Sequence, residues 1–247
     1  FAIIIMLYKI ARIPKHNGKF RNIYIPKHEY KTELRGLIGE LEDILSSLDT
    51  CRVNYAFQRG RNCVLNALQH LGYNFTLSMD VEEFFDNISI NHVSGLLPAK
   101  LIERCFIDGN PKQGLPTSPI ISTIAFLRCD KAIVEALKKT KFNVVYTRYA
   151  DDLTFSFNNL NEVAVVKLIA KQAVERFGFK INVEKTKLQS SKNGRVVITG
   201  VAIDKDGIHP TRRTKKKIRA AIHQMNLPSA RGLVEWSKCK LPNALFC

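Results

Sequence analysis

Asn143-Val-Val-Tyr-Thr-Arg-Tyr149-Ala150-Asp151-Asp152-Leu153-Thr-Phe-Ser-Phe157 is the stretch on which the fold turns. Residues 143–149 and 153–157 are rich in β-branched and aromatic side chains, the composition of strands, and only Ala150-Asp151-Asp152 separates them. Two strands so closely joined make a hairpin, and this one carries two adjacent acids at its tip. Asp is common in turns, so a polar turn is one reading of the pair. A cation-binding tip between two apolar strands is the other.

Upstream, residues 75–81 read as a strand ending near Asp80. Ser118-Pro119 fits a helix start, with serine as N-cap and proline in the first turn, and the helix is expected to run through Ala125 and Ile133 to about Lys138. Downstream, residues 161–177 place Val163, Val166, Ala170, Ala173, Val174 and Phe177 on one side of a helix that Gly178 stops. Phe179-Lys-Ile-Asn-Val183 then alternates as a strand. Strand, helix, strand, strand, helix, strand is the split βαβ, ferredoxin-like arrangement of an α+β fold. The right-handed crossover makes the first strand parallel to the second, with the third antiparallel between them. The end of the first strand and the hairpin tip therefore share one end of the sheet, which brings Asp80 to Asp151 and Asp152. Three carboxylates together call for a cation. Hard Mg²⁺ takes oxygen ligands and binds through a few carboxylates plus substrate phosphates. Two such ions about 4 Å apart can activate an attacking hydroxyl and stabilise a leaving pyrophosphate; Mn²⁺ suits the same donors.

The 247 residues allow one large domain or two small ones, without internal repeats or a low-complexity linker. The charge balance is unusual: 38 Lys+Arg against 22 Asp+Glu gives +16, which points to a polyanionic partner, nucleic acid first. Cys51, Cys63, Cys105, Cys129, Cys239 and Cys247 form no C-x-x-C pair and read as free, mostly buried thiols of a reducing compartment. The apolar opening Phe1-Ala-Ile-Ile-Ile-Met-Leu7 is too short to span a bilayer and lacks the marks of a signal peptide, so a buried first element and no membrane association are expected. Residues 8–30 are basic and turn-rich, with Asn17-Gly18 as a hairpin turn, and residues 30–48 have helical spacing.

Gln113-Gly114-Leu115-Pro116-Thr117-Ser118-Pro119, Tyr149-Ala150-Asp151-Asp152 and the upstream Asp80-Val81-Glu-Glu-Phe84-Phe85 together resemble the bacterial branch of the reverse transcriptase family, over about residues 15–202. The resemblance implies a right-hand polymerase with a ferredoxin-like palm. Fingers would occupy residues 1–74, the palm 75–93 and 117–203 joined through 94–116, and a helical thumb 204–247, short or truncated at Cys247. It implies RNA-directed DNA synthesis from deoxynucleotides by two metal ions. Asp80, Asp151 and Asp152 would be catalytic and hold the metals, with Val81 among the metal-binding positions. Phe85 matches a steric gate against a ribose 2′-hydroxyl, whereas Phe84 reads as core. Gln113 and Gly114 would line the nucleotide pocket, where backbone approaches the substrate closely. Lys15, Lys19 and Arg21 would grip the triphosphate, Lys185 would face the pyrophosphate, and Tyr149 would touch the primer end. The bland readings are a solvated basic turn and a surface lysine.

Asn66-Ala67-Leu68-Gln69-His70 and Ile198-Thr199-Gly200 are similar to two short signatures of retron reverse transcriptases, and residues 54–61, with Arg59, resemble the family's fingers segment. A retron enzyme implies a cognate structured noncoding RNA, copied from the 2′-hydroxyl of a branching guanosine into branched RNA-linked DNA (msDNA). It also implies an effector protein and antiphage defence in a bacterial cytoplasm. Arg59, Asn66, His70 and Gly200 would then face primer and template. So would Arg212, Arg213 and Lys216 from the basic run 209–219, whose alternative is a solvated helix face. Another bacterial reverse transcriptase, defence-associated or group II intron-like, shares most of these features. An inactive RNA-binding scaffold and an RNA-synthesising polymerase are the remaining readings.

Overall fold

In the computed structural model, which describes residues 7–14, 18 and 20–239, the chain begins with β1 (Tyr8–Pro14), β2 (Phe20–Pro26), α1 (His28–Gly36), α2 (Ile38–Leu48) and α3 (Cys63–Leu68). There follow β3 (Phe75–Val81), the short helices α4 (Phe84–Asn87), α5 (Ile90–Val93) and α6 (Ala99–Cys105), and the long α7 (Ser118–Lys138). The remainder comprises β4 (Val145–Tyr149), β5 (Asp152–Phe157), α8 (Val163–Arg176), β6 (Ile181–Ser190), β7 (Val196–Ile198), β8 (Val201–Asp204), β9 (Gly207–Pro210), α9 (Arg212–His223) and α10 (Leu227–Ser237). The chain forms two units, one of Phe1–Arg52, Glu82–Ile133 and Ala173–Lys180, the other of Val53–Val81, Val134–Gln172 and Ile181–Cys247. The apolar start expected to form a buried element, residues 1–6, and Cys247 lie outside the described residues, as do Lys15, Asn17 and Lys19.

In the first unit β1 and β2 pair antiparallel from Tyr8↔Pro26 to Pro14↔Phe20, and Gly18 in their connection is left-handed at φ 76°. The helix expected over residues 30–48 breaks at Leu37, between Gly36 and Gly39, where the missing Cβ atoms weaken helical continuity. Phe84, Phe126 and Phe179 are buried with ring centroids 5.0–6.0 Å apart, so Phe84 is core as expected. Gly178 stops α8 by a Schellman motif: Gly178 N donates to the Glu175 carbonyl and Phe179 N to that of Val174. Ser118 departs from its expected N-cap role. It is the first residue of α7, and its hydroxyl donates back to the Lys112 carbonyl at 2.7 Å, tying down the preceding loop.

The second unit holds a four-stranded sheet of order β4-β5-β3-β6. β5 is antiparallel to both β3 and β4, so β3 and β4 run parallel on either side of it, as the crossover rule requires. β6 is antiparallel to β3 at the other edge and extends well beyond the short strand read at 179–183. On the face of the sheet that carries Asp80 and Asp152, His70 hydrogen bonds with Ser156 Oγ on β5 (2.9 Å) and Thr147 Oγ1 on β4 (2.7 Å), while Ser156 Oγ meets Thr76 Oγ1 on β3 (2.8 Å). Strands β7, β8 and β9 form a separate antiparallel sheet that the sequence reading missed; such short strands carry too little periodicity to detect. Val64 and Ala67 of α3 pack with Val196, Ile198, Val201 and Ile203 of that sheet. The basic run does form a helix, α9, capped by the Thr211 hydroxyl accepting from Thr214 N at 3.1 Å. Among the described residues Cys63, Cys105 and Cys239 are free thiols, all three buried, and Cys129 is buried as well. No helix among the described residues is long and apolar enough to cross a membrane.

Candidate active site

Strand register assembles the site. Asp80, next to last in β3, pairs with Asp152 of β5 on one side and Asn182 of β6 on the other, and Asp152 pairs in turn with Tyr149 of β4. Directly opposed residues project to the same face with Cβ atoms about 5 Å apart, so Asp80 and Asp152 share a face. Val81 N donates to the Asp151 carbonyl at 2.9 Å, which pins the hairpin tip across the end of β3. In that tip Ala150 takes a left-handed φ of 57°, a conformation about 1–2 kcal/mol uphill for a residue with a Cβ. Arg148, fully buried, donates from Nη1 to the Ala150 carbonyl at 3.2 Å, and its own backbone bonds Val53 and Tyr55 at 2.9 and 2.8 Å. A buried guanidinium thus supports the turn, a role the sequence reading did not assign.

Burial and like charge together set the electrostatics at this end of the sheet. Asp152 is pushed up to about 6, first by burial and then by the neighbouring charges of Asp151 and Asp80, against a lowering influence from Lys185. Lys185 Nζ lies 2.9 Å from both Oδ1 and Oδ2 of Asp80, and that hydrogen bond is the largest of the effects that raise the lysine's pKa. The Asp80 side chain is 12% exposed and that of Lys185 61%. Among the described residues no three carboxylate, imidazole or thiol groups are closed around a single metal centre; the ammonium is the cation on Asp80. The donor set nevertheless fits a hard divalent ion. It offers only carboxylate oxygens, without sulfur or imidazole, and its mutual repulsion is what a divalent charge relieves.

The other expected positions fall as follows. Tyr149 is half-buried against the α3 and β7–β8 cluster. Arg59, Gly200, Arg212, Arg213 and Lys216 are exposed. Asn66 and His70, read as facing primer and template, are instead buried at 0% and 1% exposure, and Asn66 Nδ2 and both His70 ring nitrogens are used internally. Asn66 Nδ2 donates to Thr199 Oγ1 at 3.3 Å, and the Thr199 hydroxyl donates to the Cys63 carbonyl at 3.4 Å. Those bonds tether a β7–β8 turn whose two central residues, Thr199 and Gly200, are both left-handed at φ 46° and 83°. In the first unit, Phe85 is half-buried beside Phe84, and Arg21 is exposed on β2 opposite Ile13. The Gln113 carbonyl accepts from Tyr24 N at 2.8 Å, and a Cβ on Gly114 (φ 109°) would stand 2.3 Å from the Tyr24 carbonyl oxygen. The close approach that requires this glycine is to the β1–β2 hairpin. Lys15 and Lys19 lie outside the described residues.

A ferredoxin-like sheet with aspartates on its central strands and hairpin tip is the palm of a right-hand polymerase, and solved structures share the fold. The apo telomerase from Candida tropicalis truncated from its C-terminal domain superposes with a TM-score of 0.59 at 18% identity, over 83% of this chain and 55% of that one. The family described as reverse transcriptase (RNA-dependent DNA polymerase) matches residues 13–219, and the chain belongs to it. Curated relatives include the retron Mx65 reverse transcriptase of Myxococcus xanthus, 28% identical over 88% of this chain and 56% of the relative. The retron Ec86 reverse transcriptase of Escherichia coli is 30% identical over 88% of this chain and 70% of the relative. The chain therefore spans little more than half of the first relative's length.

Proposed function

We propose that this chain is an RNA-directed DNA polymerase of the retron type, copying a cognate structured noncoding RNA into branched RNA-linked DNA. The observation that carries the polymerase reading is the Asp80–Asp152 cross-strand pair with Asp151 at the adjoining tip. Asp80, Asp151 and Asp152 would hold Mg²⁺, or Mn²⁺ in its place, with Val81 at the edge of the site. The bound ions supply positive charge to activate an attacking hydroxyl and stabilise a leaving pyrophosphate. Arg21, Lys15 and Lys19 would bind the triphosphate of the incoming deoxynucleotide, and Gln113 and Gly114 would line its pocket. Lys185 would face the pyrophosphate, Phe85 would exclude a 2′-hydroxyl, and Tyr149 would meet the primer end. Arg59, Gly200 and the exposed face of α9 would follow the nucleic acid, whereas Asn66 and His70 act from inside.

The retron reading is supported by the similarity to two retron enzymes and by the Asn66–Thr199 bond, which ties the two short signatures of the sequence into one device. It carries the division into fingers (1–74), palm (75–93 and 117–203) and thumb (204–247), a bacterial cytoplasmic location, an effector partner and antiphage defence. Primer extension on an RNA template with Mg²⁺ tests the activity. Wild type should incorporate deoxynucleotides, and Asp80→Asn or Asp152→Asn should slow incorporation about a thousandfold, the loss of several kcal/mol of charge stabilisation. Unchanged rates in both variants would refute the site. In the same assay Phe85→Ala should admit ribonucleotides, and unaltered sugar selectivity would remove its role as gate. Sequencing the nucleic acid that co-purifies with the protein tests the retron assignment, which fails if no structured noncoding RNA is recovered.

A further inference from the structure

Between Ser78 and Asp80 the pairing of β3 with β6 jumps in register. Ser78 pairs with Lys187 but Asp80 with Asn182, so Met79 alone faces residues 183–186. Bulges bend a strand and re-aim its side chains. This one is closed from Asn182, whose Oδ1 accepts from Lys185 N at 3.3 Å and whose carbonyl accepts from Thr186 Oγ1 at 3.1 Å. Packing does not drive it, since Val183 within it is 80% exposed. What the bulge achieves is placement: the residue paired with Asp80 fixes the backbone of Lys185, and the Lys185 ammonium comes back onto Asp80 at 2.9 Å from each oxygen.

Both Asp80 oxygens are thus engaged by one monovalent cation, and they are the oxygens a divalent ion would need. We propose that residues 182–186 form a counterion latch, in which Asn182 positions Lys185 on Asp80 in the metal-free enzyme and the ammonium must leave when a divalent cation binds. The proposal rests on the metal-site reading given above. Lys185 has the means to leave: its flexible four-carbon stem and 61% exposure let the head group swing into water without disturbing β6. Asn182 makes its two bonds within the bulge and acts only through Lys185, as a positioning residue. The latch neutralises one carboxylate of the cluster until the divalent ion arrives, and it opposes that ion's entry by the same interaction.

Two measurements on the full chain test this, both without nucleotide. In the first, Mn²⁺ binding is followed by the paramagnetic resonance of the free ion. Lys185→Met should bind about three- to tenfold more tightly than wild type, the effect of deleting one partly screened charge beside the site. Asn182→Ala should fall between the two, and Asp80→Asn should lose the site. Equal or weaker binding by Lys185→Met, with Asp80→Asn still deficient, overturns the latch and leaves the metal site standing. Wild-type affinity in Asp80→Asn overturns the metal site itself. In the second, reductive methylation of Lys185 is timed by mass spectrometry. The rate should rise at least threefold when Mg²⁺ is added to wild type, and in Asp80→Asn it should be high from the start and insensitive to Mg²⁺. A wild-type rate that ignores Mg²⁺ overturns the latch, and this measurement decides if Mn²⁺ binding is too weak to follow in every chain.

Discussion

Gly114 sits at φ 109° with the Tyr24 carbonyl oxygen 2.3 Å from where a Cβ would stand. Gly114→Ala therefore has to move backbone on one side or the other and accept a conformation that side chains avoid. The expected cost is about 2–4 kcal/mol, measured as a fall in unfolding free energy by urea titration. Unchanged stability with a raised KM for nucleotide would mean that the substrate, and not the hairpin, is what requires the glycine. The sequence marks this position as one of close approach but cannot say to what, because Tyr24 lies far away along the chain. Lys185 has the same limitation. It reads as a surface lysine or a pyrophosphate contact, and only the bulge from Asn182 reveals that it rests on Asp80. Arg148 escaped notice altogether, since an arginine in a strand normally projects to solvent and nothing local marks this one as buried.

The sheet that carries the aspartates was legible because its order and crossover follow rules of chirality and pairing, which bring Asp80 and Asp152 to one end of it, while their direct register is shown by the structure. The length of β6 was not, since residues 183–186 interrupt the alternation on which strand recognition depends. His70 shows how one side chain joins elements: from the end of α3 it reaches β4 and β5, and through Ser156 it connects to β3. Burial pushes its pKa down to about 3, so it is held neutral. Unfolded, it would titrate near 6.5. A pKa lowered on folding means that this contribution is complete above about pH 6.5 and is lost as the pH falls towards 3. By pH 5 the loss amounts to about 2 kcal/mol. Asp152, raised to about 6, acts in the opposite direction, because protonation on acidification relieves the cost of burying its charge and of holding it beside Asp151 and Asp80. Comparing wild type with His70→Gln removes that common contribution. Wild type should lose about 2 kcal/mol more than the variant between pH 7 and pH 5 in urea unfolding, and parallel pH profiles would show that the imidazole does not protonate on unfolding in this range.

The +16 charge is plain in the composition, but composition does not say where it gathers. Folding collects part of it on α9, where Arg212, Arg213, Lys215, Lys216, Lys217 and Arg219 are all exposed while Thr214 and Ala221 face inward. Such a face binds a nucleic-acid backbone by releasing counterions, so its contribution is read in the salt dependence of binding more than in affinity at any one salt concentration. Each phosphate contact adds about 0.9 to the slope of log K against log salt for a duplex and about 0.7 for a single strand. Replacing Arg212, Arg213 and Lys216 by Ala should therefore lower the slope by about 2 to 3, whatever the sequence of the RNA, because phosphate contacts carry no base information. The substitutions are solvent-exposed and should change stability by less than about 0.5 kcal/mol each, so a lost slope cannot be ascribed to unfolding. Fluorescence anisotropy of a labelled structured RNA, titrated across a series of KCl concentrations, gives the slope directly. A triple variant with the wild-type slope would remove α9 from the binding surface and leave the remaining basic residues to account for nucleic-acid binding.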